Sequence, residues 1–302
     1  MTEKILENIL KKYPCRLERD CKMAPYTTFK IGGSADFVLF PEDTDIFCGL
    51  ISELAENSIR FTIVGNGSNL LFPDDGYRGV VIVTTGMKKI VANGNKIIAE
   101  CGASLIRVAN TALENSLTGF EFAYGIPGSV GGAVYMNAGA YSGEISQILE
   151  SCTCFDTVKR ESIVFDSIGC DFSYRNSVFE KNGSRYVILE ATFKLEHGDK
   201  TQIRAQMDDY MSRRREKQPL EYPSAGSAFK RAPGYFTAKL IDDAGLKGYR
   251  IGGAQVSTKH AGFIINVGGA TADDVKELME HIKKTVKEKF GVEIEGEIRT
   301  VE

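Results

Sequence analysis

The sequence predicts an α+β fold with two or three subdomains, and three observations predict it. Short β-rich runs alternate with helix-periodic stretches through the first third, the middle is strand-dominated, and two helical patterns punctuate the last third. The chain has 302 residues, enough for about two domains of the usual ~100–150 residues. Hydrophobic residues at 43% and charged residues at 25% suit a buried core and exclude disorder for the bulk of the chain.

The segment Met1–Lys12 is charged and amphipathic and lacks the apolar stretch of a signal peptide. Asp36–Phe40 and Phe61–Val64 read as strands. Between them Ile46, Phe47, Leu50, Ile51 and Leu54 form one helical stripe, which makes a β-α-β unit. Gly79–Val83 and Lys96–Cys101 read as strands, followed by a helical face of Leu105, Val108, Ala109, Ala112 and Leu113 that Ser104 is placed to cap. Ser151–Phe155, Ser162–Phe165 and Tyr186–Leu195 supply the strand-rich middle. A highly charged helix runs from about Thr201 to Lys217. Thr271 opens a final helix with Asp273 and Asp274 in its first turn, where they suit the helix dipole, and a stripe of Val275, Leu278, Met279, Ile282, Val286 and Phe290.

Lys plus Arg number 37 and Asp plus Glu 40, a net charge of −3, which makes no case for a nucleic-acid or membrane-surface binder. The longest apolar stretches, such as Val80–Val83 and Phe263–Val267, fall short of the ~20 residues that span a bilayer. The seven cysteines show no Cys-x-x-Cys pair and only three histidines accompany them, so no metal is expected. They read as small apolar side chains in a reducing cytoplasm, with Cys152 and Cys154 on one strand face.

Glycine is the unusual component: 31 residues, against an average near ~7%. One cluster, Gly65, Asn66, Gly67, Ser68, Asn69 and Leu70, directly follows a strand. Its glycines permit positive φ and close backbone approach, and successive N–H groups there form a concavity for a pyrophosphate. It lacks the third glycine, the helix start and the acidic residue of the Rossmann fingerprint, and the Gly-Lys-Ser/Thr of a P-loop. By itself it also reads as an ordinary β-turn. The second cluster holds Gly125, Ile126, Pro127, Gly128, Ser129, Gly131 and Gly132, and leads into Met136-Asn-Ala-Gly-Ala-Tyr141. Backbone so free of side chains lets a planar or phosphorylated ligand lie against it; a tightly packed turn is the plainer reading.

These two segments resemble the FAD-contacting segments of the UDP-N-acetylenolpyruvoylglucosamine reductase family, within the vanillyl-alcohol-oxidase-like flavoproteins. Thr27-Thr-Phe-Lys-Ile-Gly-Gly-Ser-Ala35 is similar to that family's N-terminal signature. The likeness continues in order through Tyr174-Arg-Asn-Ser177, Lys217-Gln-Pro219, Pro223-Ser-Ala-Gly-Ser-Ala-Phe-Lys230, Ala244-Gly-Leu-Lys-Gly248, Lys259-His-Ala-Gly-Phe263 and Glu295-Gly-Glu-Ile-Arg299.

The resemblance implies a PCMH-type FAD-binding domain in two parts, residues 1–84 (with 292–302 returning to the site) and 85–200, and a smaller α+β substrate-binding domain, 201–291. It implies a cytoplasmic enzyme of peptidoglycan precursor synthesis that uses FAD and NADPH to reduce the enolpyruvyl ether of a UDP-sugar to a lactyl ether. No nucleic-acid, membrane or obligate protein partner is expected. The reduced flavin would deliver hydride from N5 to the terminal alkene carbon. Arg175 would hold the substrate carboxylate, since a guanidinium fork matches it bidentately. Ser227 would also contact the substrate and give the proton, and Glu297 would face the other side of the alkene, protonated when it acts. Lys217 would approach a substrate phosphate. His260 reads as packed or hydrogen-bonded rather than as a catalytic base.

Without the resemblance, Arg175 reads as a surface ion-pair residue and Ser227 as a turn residue. Glu295, Glu297 and Arg299 then read as one solvated strand face. Two departures from the family pattern stand out: Arg231 replaces the common Asn after Phe-Lys, and Ser177 to Lys194 leaves little room for the loop carrying a substrate-clamping Tyr, so the sequence resembles the shorter subclass. A flavin oxidase of the same superfamily and a non-catalytic nucleotide-sugar-binding protein are the two alternatives.

Overall fold

A computed structural model describes residues 2–302; Met1 lies outside the described residues, and Thr2–Lys12 of the N-terminal segment is a helix. The chain divides into two compact units that interleave in sequence. One comprises Met1–Glu18, Phe37–Asn66 and Gly79–Ser212; the other comprises Arg19–Asp36, Gly67–Arg78 and Arg213–Glu302.

The sequence-predicted elements form. Strands run over Ser34–Phe40, Phe61–Val64, Tyr77–Val83 and Lys96–Glu100. Helix Thr44–Glu56 buries Phe47, Leu50, Ile51 and Leu54 and starts at Asp43, whose carboxylate accepts from the N–H groups of Asp45 and Ile46. Helix Leu105–Glu114 is capped as expected: Ser104 Oγ accepts from the Arg107 N–H at 3.4 Å. The strands and helix of the β-α-β unit form, the two strands in one sheet with a further strand between them. In the four-stranded sheet, strand Tyr77–Val83 lies between Ser34–Phe40 and Phe61–Val64 and pairs in parallel with the latter, Phe61 opposite Val80 and Val64 opposite Val83. Hydrophobic periodicity shows that strands exist, not which of them are neighbours.

The strand-rich middle forms an antiparallel five-stranded sheet in the order Glu161–Asp166, Leu149–Asp156, Tyr186–Lys194, Lys96–Glu100, Ile90–Asn93. Its inner face carries Ile97, Ala99, Cys152, Cys154 and Ala191, all buried. Cys152 and Cys154 share a face, their sulfurs 3.5 Å apart, and all seven cysteines are free thiols. Burial holds the Cys152 thiol well above its ordinary pKa.

The second unit contains a four-stranded antiparallel sheet, Ser224–Ser227, Phe263–Asn266, Ala254–Val256, Arg250–Ile251, in that order. Helix Ala272–Phe290 buries Val275, Leu278, Met279, Ile282 and Val286, five of the six predicted stripe residues; Phe290 at the end is 39% exposed. Thr271 and Asp274 form a reciprocal capping box, and Asp74 accepts from the N–H groups of Ala272 and Asp273. Helix Lys200–Lys217 carries the predicted charged run. Among the described residues, no helix is long and apolar enough to cross a membrane.

Candidate active site

In the first unit Gly65 and Asn66, the start of the first glycine cluster, meet the second cluster. A cavity of about 110 Å³ is walled by Gly65 and by Ser129, Gly131 and Gly132, which lie more than sixty positions apart in the chain, with Ile63, Val187 and Ile188 as its apolar sides. Asn66 Nδ2 donates to the Pro127 carbonyl at 3.2 Å, so one loop is tied to the other. The need for glycine differs between positions. A Cβ on Gly65 would stand 2.0 Å from Ser129 Oγ, so this glycine permits close loop packing; Gly67 is the one with positive φ, +59°.

The second cluster is not only a turn: Val130–Tyr135 is a short helix with Ser129 as N-cap. Its first N–H groups are already used. Val130 donates to Ala103 O at 2.9 Å, Gly131 to Cys101 O at 2.8 Å, and Gly132 to Ser129 Oγ at 3.3 Å. The segment therefore offers the cavity bare glycine surface rather than amide donors. Thr84, Cys101, Tyr135 and Tyr186 also line the cavity and were missed in the sequence, because they are single residues at the ends of separate elements and carry no motif. Burial pushes the Cys101 thiol up to about 12, which keeps it neutral at the cavity wall.

Arg175 belongs to the same unit. Ser173 and Asn176 exchange two backbone hydrogen bonds of 3.1 Å around Tyr174-Arg175, a turn that puts Arg175 at φ +54°. The guanidinium donates to the carbonyls of Asn137 at 3.3 Å and Gly139 at 2.9 Å, and stands 5.2 Å from the centre of the Tyr174 ring. Ser177 Oγ donates to Tyr135 O at 2.6 Å, which fixes the far side of the turn.

The second unit brings Ser227 and Glu297 together. Ser227 follows Gly226, at φ +77°, on an edge strand whose register shifts between Ser224 and Ser227. The next residue, Ala228, donates to Gly262 O and accepts from the Glu297 N–H, each at 2.8 Å. Lys230 N–H donates to Glu295 O at 2.9 Å, and the Lys230 ammonium pairs with the Glu295 carboxylate at 2.6 Å. On the other flank Asn69 Nδ2 donates to Glu297 O, and Asn69 O accepts from Arg299 N–H, both at 3.0 Å. Arg299–Thr300 then pairs in parallel with Leu70–Leu71. The one-face reading of Glu295, Glu297 and Arg299 thus gives way: Glu295 is exposed, Glu297 and Arg299 are half-buried, and only Arg299–Thr300 is regular strand.

Lys217 is exposed as the last residue of its helix, and Arg231 is exposed with its guanidinium 5.7 Å from the Phe236 ring centre. Lys259 Nζ donates to Arg215 O at 2.7 Å, answering the helix C-terminus. His260 is packed edge-on against Phe263, and its Nδ1 accepts from Gly262 N–H at 3.1 Å; burial lowers its pKa.

Residues 35–161 match the family described as "FAD binding domain". A solved alkyldihydroxyacetonephosphate synthase shares the fold alone, with a TM-score of 0.50 at 15% identity over 65% of this chain and 40% of its own. The matched FAD-binding family and the shared fold thus define an α+β flavoprotein of the vanillyl-alcohol-oxidase-like, PCMH-type class. Residues 218–301 match "UDP-N-acetylenolpyruvoylglucosamine reductase, C-terminal domain". Over 298 residues the chain is 55% identical to the UDP-N-acetylenolpyruvoylglucosamine reductase of Clostridium novyi, covering 99% of this chain and 95% of that protein. It is 49% identical to that of Caldanaerobacter subterraneus, over 98% and 96%. The solved UDP-N-acetylenolpyruvylglucosamine reductase from Thermus caldophilus superposes with a TM-score of 0.81 at 32% identity, over 95% of this chain and all of that one. The chain belongs to the UDP-N-acetylenolpyruvoylglucosamine reductase family. It is an FAD-dependent oxidoreductase of peptidoglycan precursor synthesis whose substrate is a UDP-sugar.

Proposed function

We propose that Arg175, Ser227 and Glu297 carry the reduction of the enolpyruvyl ether, with NADPH as the source of reducing equivalents and the cytoplasm as the setting. The observation that supports this most directly is the ladder of the second unit. It ties Asn69 of the first glycine cluster to Glu297, and Glu297 to the residue after Ser227. A loop matched to the cofactor and two residues matched to the chemistry share one rigid frame.

Residues Gly65–Leu70 and Gly125–Gly132 would hold FAD, and of these Gly65, Gly131 and Gly132 offer side-chain-free backbone beside the apolar wall of Ile63, Val187 and Ile188. When bound there, FAD would supply the hydride that no side chain can. The FAD-binding parts are residues 1–84 with 292–302 and 85–200, and residues 201–291 serve the substrate. Arg175 pairs its planar fork with the substrate carboxylate and stabilises the negative charge that develops beside it. Ser227 donates the proton to the α-carbon, and Glu297 faces the opposite side of the alkene. Lys217 lies toward the diphosphate, where an exposed ammonium acts as a point charge.

Stopped-flow measurement of both half-reactions tests the reading. NADPH should bleach the yellow flavin without oxygen, and UDP-N-acetylenolpyruvoylglucosamine should restore it much faster than oxygen does. Reoxidation by oxygen as fast as by substrate would favour an oxidase. Purified protein without flavin absorbance would overturn the reading.

A further inference from the structure

A buried asparagine that the catalytic reading leaves aside stands behind Arg175. Asn137 is fully buried and left-handed, at φ +47°. Its Nδ2 donates to Ser173 O at 3.2 Å, and its Oδ1 accepts from the Ser146 N–H at 2.9 Å. Its own carbonyl accepts from Arg175 Nη1 at 3.3 Å, and Gly139 O, two residues on, accepts from Nη2 at 2.9 Å. One side chain therefore grips the turn that carries Arg175, and the same residue's backbone receives the guanidinium.

The residue type follows from these demands. A buried amide is tolerated only when both its ends are hydrogen-bonded, and both ends here are. Asparagine enters the left-handed region more readily than other side chains. Aspartate would set an acceptor against the Ser173 carbonyl; alanine would leave Ser173 O and Ser146 N–H without this partner.

We infer that Asn137 is a positioning residue for the substrate half-reaction: it sets the height and direction of the Arg175 guanidinium by locking residues 173–176 onto the loop 137–139. The inference rests on the proposed role of Arg175. A guanidinium must meet a carboxylate with both its position and its plane correct, and a displacement near ~1 Å can cost about 10²-fold in rate. Asn137 touches no reacting atom.

The test is a double-mutant cycle in the FAD-loaded enzyme, with Asn137→Ala, Arg175→Lys and the pair. Flavin reoxidation by UDP-N-acetylenolpyruvoylglucosamine should slow about 10²-fold in Asn137→Ala. In the Arg175→Lys background the same change should cost less than about 3-fold, because residues acting as a unit are not additive. Binding of UDP-N-acetylglucosamine, which lacks the carboxylate, and flavin reduction by NADPH should stay near wild type. Equal losses in both backgrounds, or parallel losses in the NADPH half-reaction, would overturn the inference and leave Asn137 a purely structural residue. Wild-type reoxidation in Arg175→Lys alone would instead remove the role of Arg175 on which it rests. Should Asn137→Ala fail to fold, Asn137→Gly keeps the left-handed backbone, removes both amide bonds and is read against the same outcomes.

Discussion

The cavity of the first unit and the Ser227–Glu297 frame of the second are built by opposite means. The cavity is made by removing side chains: Gly65, Gly131 and Gly132 bring bare backbone to its edge, and a Cβ on Gly65 would collide with Ser129. The frame presents side chains and spends its main-chain groups fixing them, through Ala228 and Asn69 on either side of Glu297. Holding the cofactor and reducing the substrate should therefore separate by mutation. The largest effect belongs to the frame. Ser227→Ala should slow flavin reoxidation by substrate about 10²–10⁴-fold, the range of a lost general acid, while reduction by NADPH stays unchanged. Glu297→Gln should act in the same half-reaction. If either variant slowed both half-reactions alike, the separation would fail and the proton-donor role with it.

Gly65→Val probes the other side. Its new Cβ meets Ser129 Oγ at 2.0 Å, and overpacking of this kind costs about 1–3 kcal/mol. The flavin-to-protein absorbance ratio of the purified variant should drop, and added FAD should restore part of the substrate reduction. Full flavin occupancy with slow reoxidation would move Gly65 from the cofactor side to the chemical side. A smaller effect marks the scaffold of the second unit. Thr271→Ala removes one arm of the capping box of helix Ala272–Phe290 and should destabilise by about 1 kcal/mol in urea unfolding, with an unchanged flavin spectrum.

What the sequence made legible follows the same division. Helices such as Leu105–Glu114 were plain because burial repeats with their period, and strands such as Phe61–Val64 because aromatic and β-branched residues run together there. The helix Val130–Tyr135 was hidden by two glycines in its first turns; Gly and β-branched residues disfavour a helix, and here bonds to Cys101 O and Ala103 O hold it. The strand Ser224–Ser227 is Ser-Ala-Gly-Ser and has no hydrophobic alternation to read. Ser227, Arg175 and Glu297 were singled out only through motifs, since no periodicity distinguishes them from turn or surface residues. Asn137 escaped because neither its burial nor its partners 9 and 36 residues away are written in local pattern.

The smallest expected effects are in pH dependence, and the two units should respond with opposite signs. In the second unit burial lowers the pKa of His260, so the unfolded chain, with its ordinary value near ~6.5, binds a proton that the folded chain refuses. Its contribution is intact above that value and falls as pH drops below it. In the first unit burial, then the charge of Glu100 directly across the strand pair, raises the pKa of Glu190. The folded chain now holds a proton that the unfolded chain, near ~4.3, releases first, so stability is present below that pH and is lost as pH rises through the folded value. Urea midpoints between pH 4 and 8 should therefore change slope in opposite senses: His260→Gln should flatten the loss on the acid side of neutrality, and Glu190→Gln should flatten the loss on leaving the acid range. A shared sign would mean that the two groups do not titrate as their surroundings dictate.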